Sequence, residues 1–234
     1  MSDTEAFKRQ AGVHAADLVE SGMVVGLGTG STAIHATRHI ATRLRDGTLR
    51  DIRAIATSRG VHEEALRLGI PMIDEALPEA VDLTIDGADE IDPALNLIKG
   101  GGGALLREKI VAQASRREII VADEQKCSPL LGTRFPLPIE VLAFGWQSQA
   151  RFLEALGARV VLRRDGRGEP ARTDQDNLLL DAHFGPIDDA PSLAARLGDR
   201  AGIVAHGLFL GLAQEAIITG PGGIRHLRRP SPGG

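Results

Sequence analysis

Residues 23–45 read MVVGLGTGSTAIHATRHIATRLR. The first six form an apolar run of strand length, which breaks into TGST before a helix-like segment begins. The same rhythm returns downstream. DIRAIAT (51–57) predicts a strand, SRGVHEEALRLG a helix ending at Gly69, and IPMI a short strand. VDLTID (81–86) predicts a strand, ALLREKIVAQAS (104–115) a helix, and EIIVAD (118–123) a further strand. Ahead of them, Phe7, Val13 and Leu18 recur at helical spacing over residues 3–20. Strands alternating with helices of this length make βαβ units, hence a Rossmann-like α/β domain whose mostly parallel sheet is covered on both faces.

From residue 136 the rhythm changes. PLPIEVLAF predicts a strand, WQSQARFLEALG a helix and ARVVLRR a strand; NLLLDAHF, IDDAPSLAARLG and AGIVAH then predict strand, helix and strand. That order, βαββαβ, is the split pattern of ferredoxin-like domains. A smaller α+β domain is therefore expected at 132–205, with 1–131 plus 206–234 forming the Rossmann-like catalytic domain. The segment LFLGLAQEAIITG is expected to return as a helix and a final strand, and the tail RRPSPGG to fray.

A chain of 234 residues with 43% hydrophobic and 25% charged residues has an ordinary globular composition. Its net charge of -4 argues against a general nucleic-acid or membrane-surface binder. The single cysteine, Cys127, rules out an intramolecular disulfide framework, and the N-terminus lacks an apolar signal core, so a cytoplasmic setting is expected. Seven histidines are scattered without metal-binding spacing, and no metal is expected.

Three stretches can carry chemistry. GLGTGST (26–32) joins a strand end to a helix start, where backbone N–H groups and hydroxyls suit an anion; an ordinary capped turn is the plainer alternative. A dinucleotide fingerprint is disfavoured, because Ala33 stands where its third glycine belongs. DGADEID (86–92) packs four carboxylates into seven residues after a strand. It suits a magnesium site or a pair of carboxylates handling sugar hydroxyls, with Glu90 and Asp92 expected in a solvated turn. LIKGGGGALLREKI (97–110) sets four glycines between Lys99 and a helix. On that helix Glu108 falls between Ala104 and Ala112 with Val111 close by, and a carboxylate so poorly solvated is suited to act as a general base.

In this order and spacing GLGTGST, TSRG, DGADEID, KGGGGALLREKI and DEQK resemble the A-type ribose-5-phosphate isomerase family, as do FPLPIEV, NLLLDAHF and GIVAHGLF downstream. The resemblance covers nearly the whole chain, and DGADEID followed closely by KGGGGALLREK is its most specific part. It implies an isomerase that interconverts ribose 5-phosphate and ribulose 5-phosphate through an enediolate, needs no metal or organic cofactor, and is typically a homodimer or homotetramer. Residue by residue it implies Glu108 as the base, aided by Asp86 at ring opening and by Lys99 at the developing oxyanion. It further implies substrate loops at Asp86, Gly87, Ala88 and Asp89, at Lys99, Gly100, Gly101 and Gly102, and at Thr29, Gly30, Ser31 and Thr32, with Lys126 and Lys8 available to the phosphate. The loop TSRGVHEEA is more basic than in some members, and 164–175 is polar. The rivals are another sugar-phosphate isomerase, a coenzyme A transferase on a related domain, or a sugar-phosphate sensor. A sensor would normally carry a DNA-binding segment, for which the sequence offers no helix-turn-helix candidate.

Overall fold

The computed structural model describes residues 3–73 and 80–229; of the tail expected to fray, 230–234 lie outside them. The chain opens with α1 (Asp3–Ala16), β1 (Val24–Leu27), α2 (Ala33–Arg45), β2 (Arg53–Ala56), α3 (Arg59–Arg67) and β3 (Leu83–Asp86). Next come β4 (Glu90–Ile91), β5 (Leu97–Ile98), α4 (Leu105–Ala114) and β6 (Glu118–Asp123), the last running into a 3-10 turn at Glu124–Lys126. Then follow β7 (Leu137–Val141), α5 (Trp146–Ala155), β8 (Arg159–Leu162), β9 (Leu178–His183), α6 (Ala190–Gly198) and β10 (Ile203–His206). The chain finishes with β11 (Leu208–Phe209), β12 (Glu215–Gly220) and β13 (Gly223–Arg228). These elements fall into two compact units. The first is Met1–Ala88, Arg107–Lys126 and Gly211–Gly234; the second is Asp89–Leu106 and Cys127–Leu210.

The first unit holds a six-stranded sheet in the order β13-β12-β6-β3-β1-β2. Every pair is parallel except the terminal hairpin β12–β13. Its central strands read as near-continuous apolar runs because they are buried on both faces: each residue of β3, β6 and β12 is buried. Val25, Leu27, Leu83, Ile85, Ile119, Val121 and Ile217 pack against Ala11, Ala15 and Ile40 of the helices. The chain leaves β1 for β2 on one side and later returns to β3 on the other. That reversal of direction is the place where open α/β sheets leave a crevice beyond their strand ends.

The second unit carries the expected βαββαβ segment as a four-stranded sheet in the order β10-β7-β9-β8, antiparallel throughout. One face buries Leu137, Ile139, Val141, Leu180 and Ala182 with Leu153 of α5 and Leu197 of α6. The unit extends past 132–205 because β5 pairs with both β4 and β11, which ties residues 89–106 to 207–210.

Three sequence expectations need correction. LFLGLAQ forms no helix: Leu208 and Phe209 pair with β5 instead, and a side chain at Gly207 would run into the Lys99 carbonyl and Pro138. IPMI contributes only one bridge, Met72 to Ala54. Residues 223–228, for which no element was expected, form β13, an exposed edge strand. Among the described residues no helix is long and apolar enough to cross a membrane.

Candidate active site

Strand ends supply the site residues of the first unit. Asp86 is the last residue of β3 and fully buried. Its Oδ1 accepts the N–H of Thr29 at 3.0 Å and that of Gly87 at 2.7 Å. A Cβ on Gly28 would collide with Asp86 itself, so the glycine lets the β1 end approach the β3 end. This bond draws the TGST turn onto the aspartate.

Thr29 also touches the end of β2. Its hydroxyl donates to Ser58 Oγ at 2.8 Å and lies 2.8 Å from Thr57 Oγ1. A hydroxyl carries one hydrogen, so Thr57 must be the donor to Thr29. Ser58 Oγ accepts the Val61 N–H as the N-cap of α3, which leaves its own hydrogen to donate outward. Thr57 and Ser58 thus join the TGST turn as candidate site residues that the motifs did not pick out. Their signal was the same as that of TGST, hydroxyls at a strand-to-helix junction.

The rest of the turn starts α2. Gly30 adopts φ +132°, Ser31 is exposed, and Thr32 is the N-cap, although its side chain makes no capping bond. Lys126 ends the 3-10 turn after β6 and is half-buried. Lys8 is half-buried on α1, next to Phe7, whose carbonyl accepts the Thr219 hydroxyl.

Glu108 lies in the first turn of α4 and is 4% exposed. Val111 and Ala112, one turn further on, are buried as well, so the sequence placed this carboxylate on the correct face. Burial pushes the neighbouring Lys109 ammonium down to about 8.

In the second unit Asp89 begins the run to β4, and its Oδ2 accepts the Gly101 N–H at 2.7 Å. A Cβ on Gly101 would sit 2.9 Å from the Asp89 carboxyl carbon, so this position has no room for a side chain. Gly100 adopts φ +100°, and the Gly103 N–H closes a turn by donating to the Gly100 carbonyl at 3.0 Å. Gly102 is exposed. Lys99 is 1% exposed, donates its backbone N–H to Gly207, and sets its ammonium 5.6 Å from the centre of the Phe209 ring.

The acidic segment divides differently from the expectation. Glu90 is fully buried, not solvated, and its carboxylate accepts the N–H groups of Gly132, Arg134 and Phe135. Asp92 folds its own turn by accepting from Ala94 and Asn96. Among the described residues no group of three or more His, Cys, Asp or Glu is placed to hold a metal ion.

Sheet order and strand-end loops together define an α/β protein of the doubly wound class. The family model for ribose 5-phosphate isomerase A (phosphoriboisomerase A) matches residues 53–223. The ribose-5-phosphate isomerase A of Chloroflexus aurantiacus is 56% identical over 97% of this chain and 95% of its own. A D-ribose-5-phosphate isomerase solved with phospho-erythronic acid superposes with a TM-score of 0.94 at 34% identity, covering 97% of this chain and 100% of that one. The ribose 5-phosphate isomerase of Plasmodium falciparum gives 0.93 at 38% identity, over 96% and 98% of the two chains. The chain belongs to the ribose 5-phosphate isomerase A family and is an enzyme of the isomerase class.

Proposed function

We propose that the chain interconverts D-ribose 5-phosphate and D-ribulose 5-phosphate, with Glu108 moving the proton. The observation that carries this reading is a buried carboxylate in the first turn of the helix that follows the glycine run. Asp86, fixed by two amides, assists opening of the furanose ring at the ring oxygen and O1. Glu108 then removes the C2 proton and returns it to C1 by way of an enediolate. Lys99 and glycine amides hold the developing oxyanion, a preorganised donor set of the kind that contributes most to catalysis. Thr29 to Thr32, Lys126 and Lys8 take the phosphate, whose binding orients the reacting carbons. Asp89 shapes the glycine loop through Gly101, and Gly87 and Ala88 line the substrate loop. That a relative binds phospho-erythronic acid supports the reading, because its flat carboxylate shares the planar anionic character of an enediolate.

The Glu108→Gln variant tests the base. Its KM should stay close to that of the parent while kcat falls by roughly 10²–10⁴-fold. Turnover in deuterated water should place label at C1; near-parental turnover of the variant would remove Glu108 from this role. A homodimer or homotetramer is supported by Phe144, 93% exposed beside the half-exposed Leu142 on the second unit.

A further inference from the structure

The glycine run is gripped from behind by a side chain that no motif pointed to. Arg163 follows β8 and is anchored through its own backbone to Leu179 and Ala171. Its Nε donates to Asp181 Oδ2 at 2.9 Å, and its Nη2 donates to Oδ1 of the same carboxylate on β9. The remaining nitrogen, Nη1, donates to the carbonyl of Gly100 at 2.9 Å and to that of Gly101 at 3.0 Å. Both side chains are largely buried, at 17% and 18% exposure.

A trans peptide is planar, so its C=O and the following N–H point in opposite directions. Drawing the Gly100 carbonyl to Arg163 turns the Gly101 N–H the other way, where Asp89 accepts it. Drawing the Gly101 carbonyl to the same guanidinium must likewise turn the Gly102 N–H away from Arg163. The Gly100–Gly101 peptide is also held by Asp89 and by the Gly103 N–H, whereas the Gly101–Gly102 peptide has no side chain of its own to fix its orientation and takes it from Arg163.

We propose that Arg163, held by Asp181, is a positioning residue that aims the Gly102 amide at the oxyanion of the reacting sugar. This rests on the isomerase reading above. Only arginine fits the position, since its planar fork serves one carboxylate and two carbonyls at once; a lysine ammonium cannot span all three. The charge on Asp181 balances the guanidinium, so the effect on the substrate is one of direction, not of net charge.

Arg163→Met, Arg163→Lys and Asp181→Asn test the clamp in a ribulose 5-phosphate formation assay, with thermal melts run beside it. Parental activity in the same assay tests the isomerase reading by itself; a parent that does not isomerise defeats that reading before any variant is considered. With an active parent, kcat of Arg163→Met should fall roughly 10- to 100-fold, less than the ~10²–10³-fold typical of losing an oxyanion donor outright. KM should change less than about threefold, and affinity for phospho-erythronic acid should fall with kcat. Arg163→Lys should lie between parent and Met, and Asp181→Asn should weaken kcat in the same sense. If Arg163→Met does not fold, the other two variants carry the test. A kcat of Arg163→Met within about threefold of the parent overturns the proposal, as does, should that variant not fold, a kcat of Asp181→Asn equal to that of the parent. So does a loss confined to KM, or one that tracks melting temperature alone.

Discussion

Glu90 and Glu140 are both fully buried carboxylates with different hydrogen-bond partners. Glu90 is met by three backbone amides, which suit an anion. Glu140, on β7, receives the Thr173 hydroxyl and the Asn177 amide on Oε1, while its buried Oε2 has no hydrogen-bond partner among the described residues. Burial raises its pKa above the ordinary 4.5, against the pull of Asn177 and Thr173. A raised carboxyl stabilises the fold fully below its unfolded value and loses that contribution as pH climbs through its folded value. Melting temperature should therefore decline from pH 4.5 toward neutrality, and Glu140→Gln should flatten that slope. Equal slopes in the two proteins would show that another group is responsible. At this scale the placing of Asp86 at a strand end and of Glu108 among small apolar side chains was legible, because each follows from its own motif. Arg163 was not, since the glycines it grips lie 62 and 63 residues away in sequence.

At the scale of elements, Ser58 joins two functions. It caps α3 through the Val61 N–H and closes the hydroxyl chain from Thr57 and Thr29. Ser58→Ala should cost about 1 kcal/mol of stability through the lost cap. It should also raise KM for the phosphorylated substrate, whereas a substitution at the exposed cap of another helix would affect stability alone. Calorimetry paired with steady-state kinetics separates the two, and an unchanged KM would confine Ser58 to capping. The buried parallel strands could be read directly from apolar runs such as VDLTID and EIIVAD. The two-residue strands β4, β5 and β11 are too short to show a period, and β13 shows none because it faces solvent as a basic edge strand. LFLGLAQ looked helical by composition, but pairing with β5 overrode local preference.

For the whole molecule, assembly is the property most open to test. An aromatic ring 93% exposed is unusual on a surface meant to stay in water, and Phe144→Glu should shift sedimentation toward a lighter species without unfolding the protein. Unchanged mass would remove Phe144 from any role in assembly. The division into units has a further consequence, for the order in which the protein is made. The second unit is complete once residue 210 has been synthesised, but the first still lacks β12 and β13. Until then β6 is an unpaired edge, with Ile119, Val121 and Ala122 waiting for a strand about a hundred residues later in the chain. A nascent chain on the ribosome thus finishes the unit with the glycine clamp first. The sheet that bears the strand-end loops is sealed only when β12 and β13 emerge, so a message cut short after residue 210 yields a chain with a sticky edge instead of a smaller working enzyme.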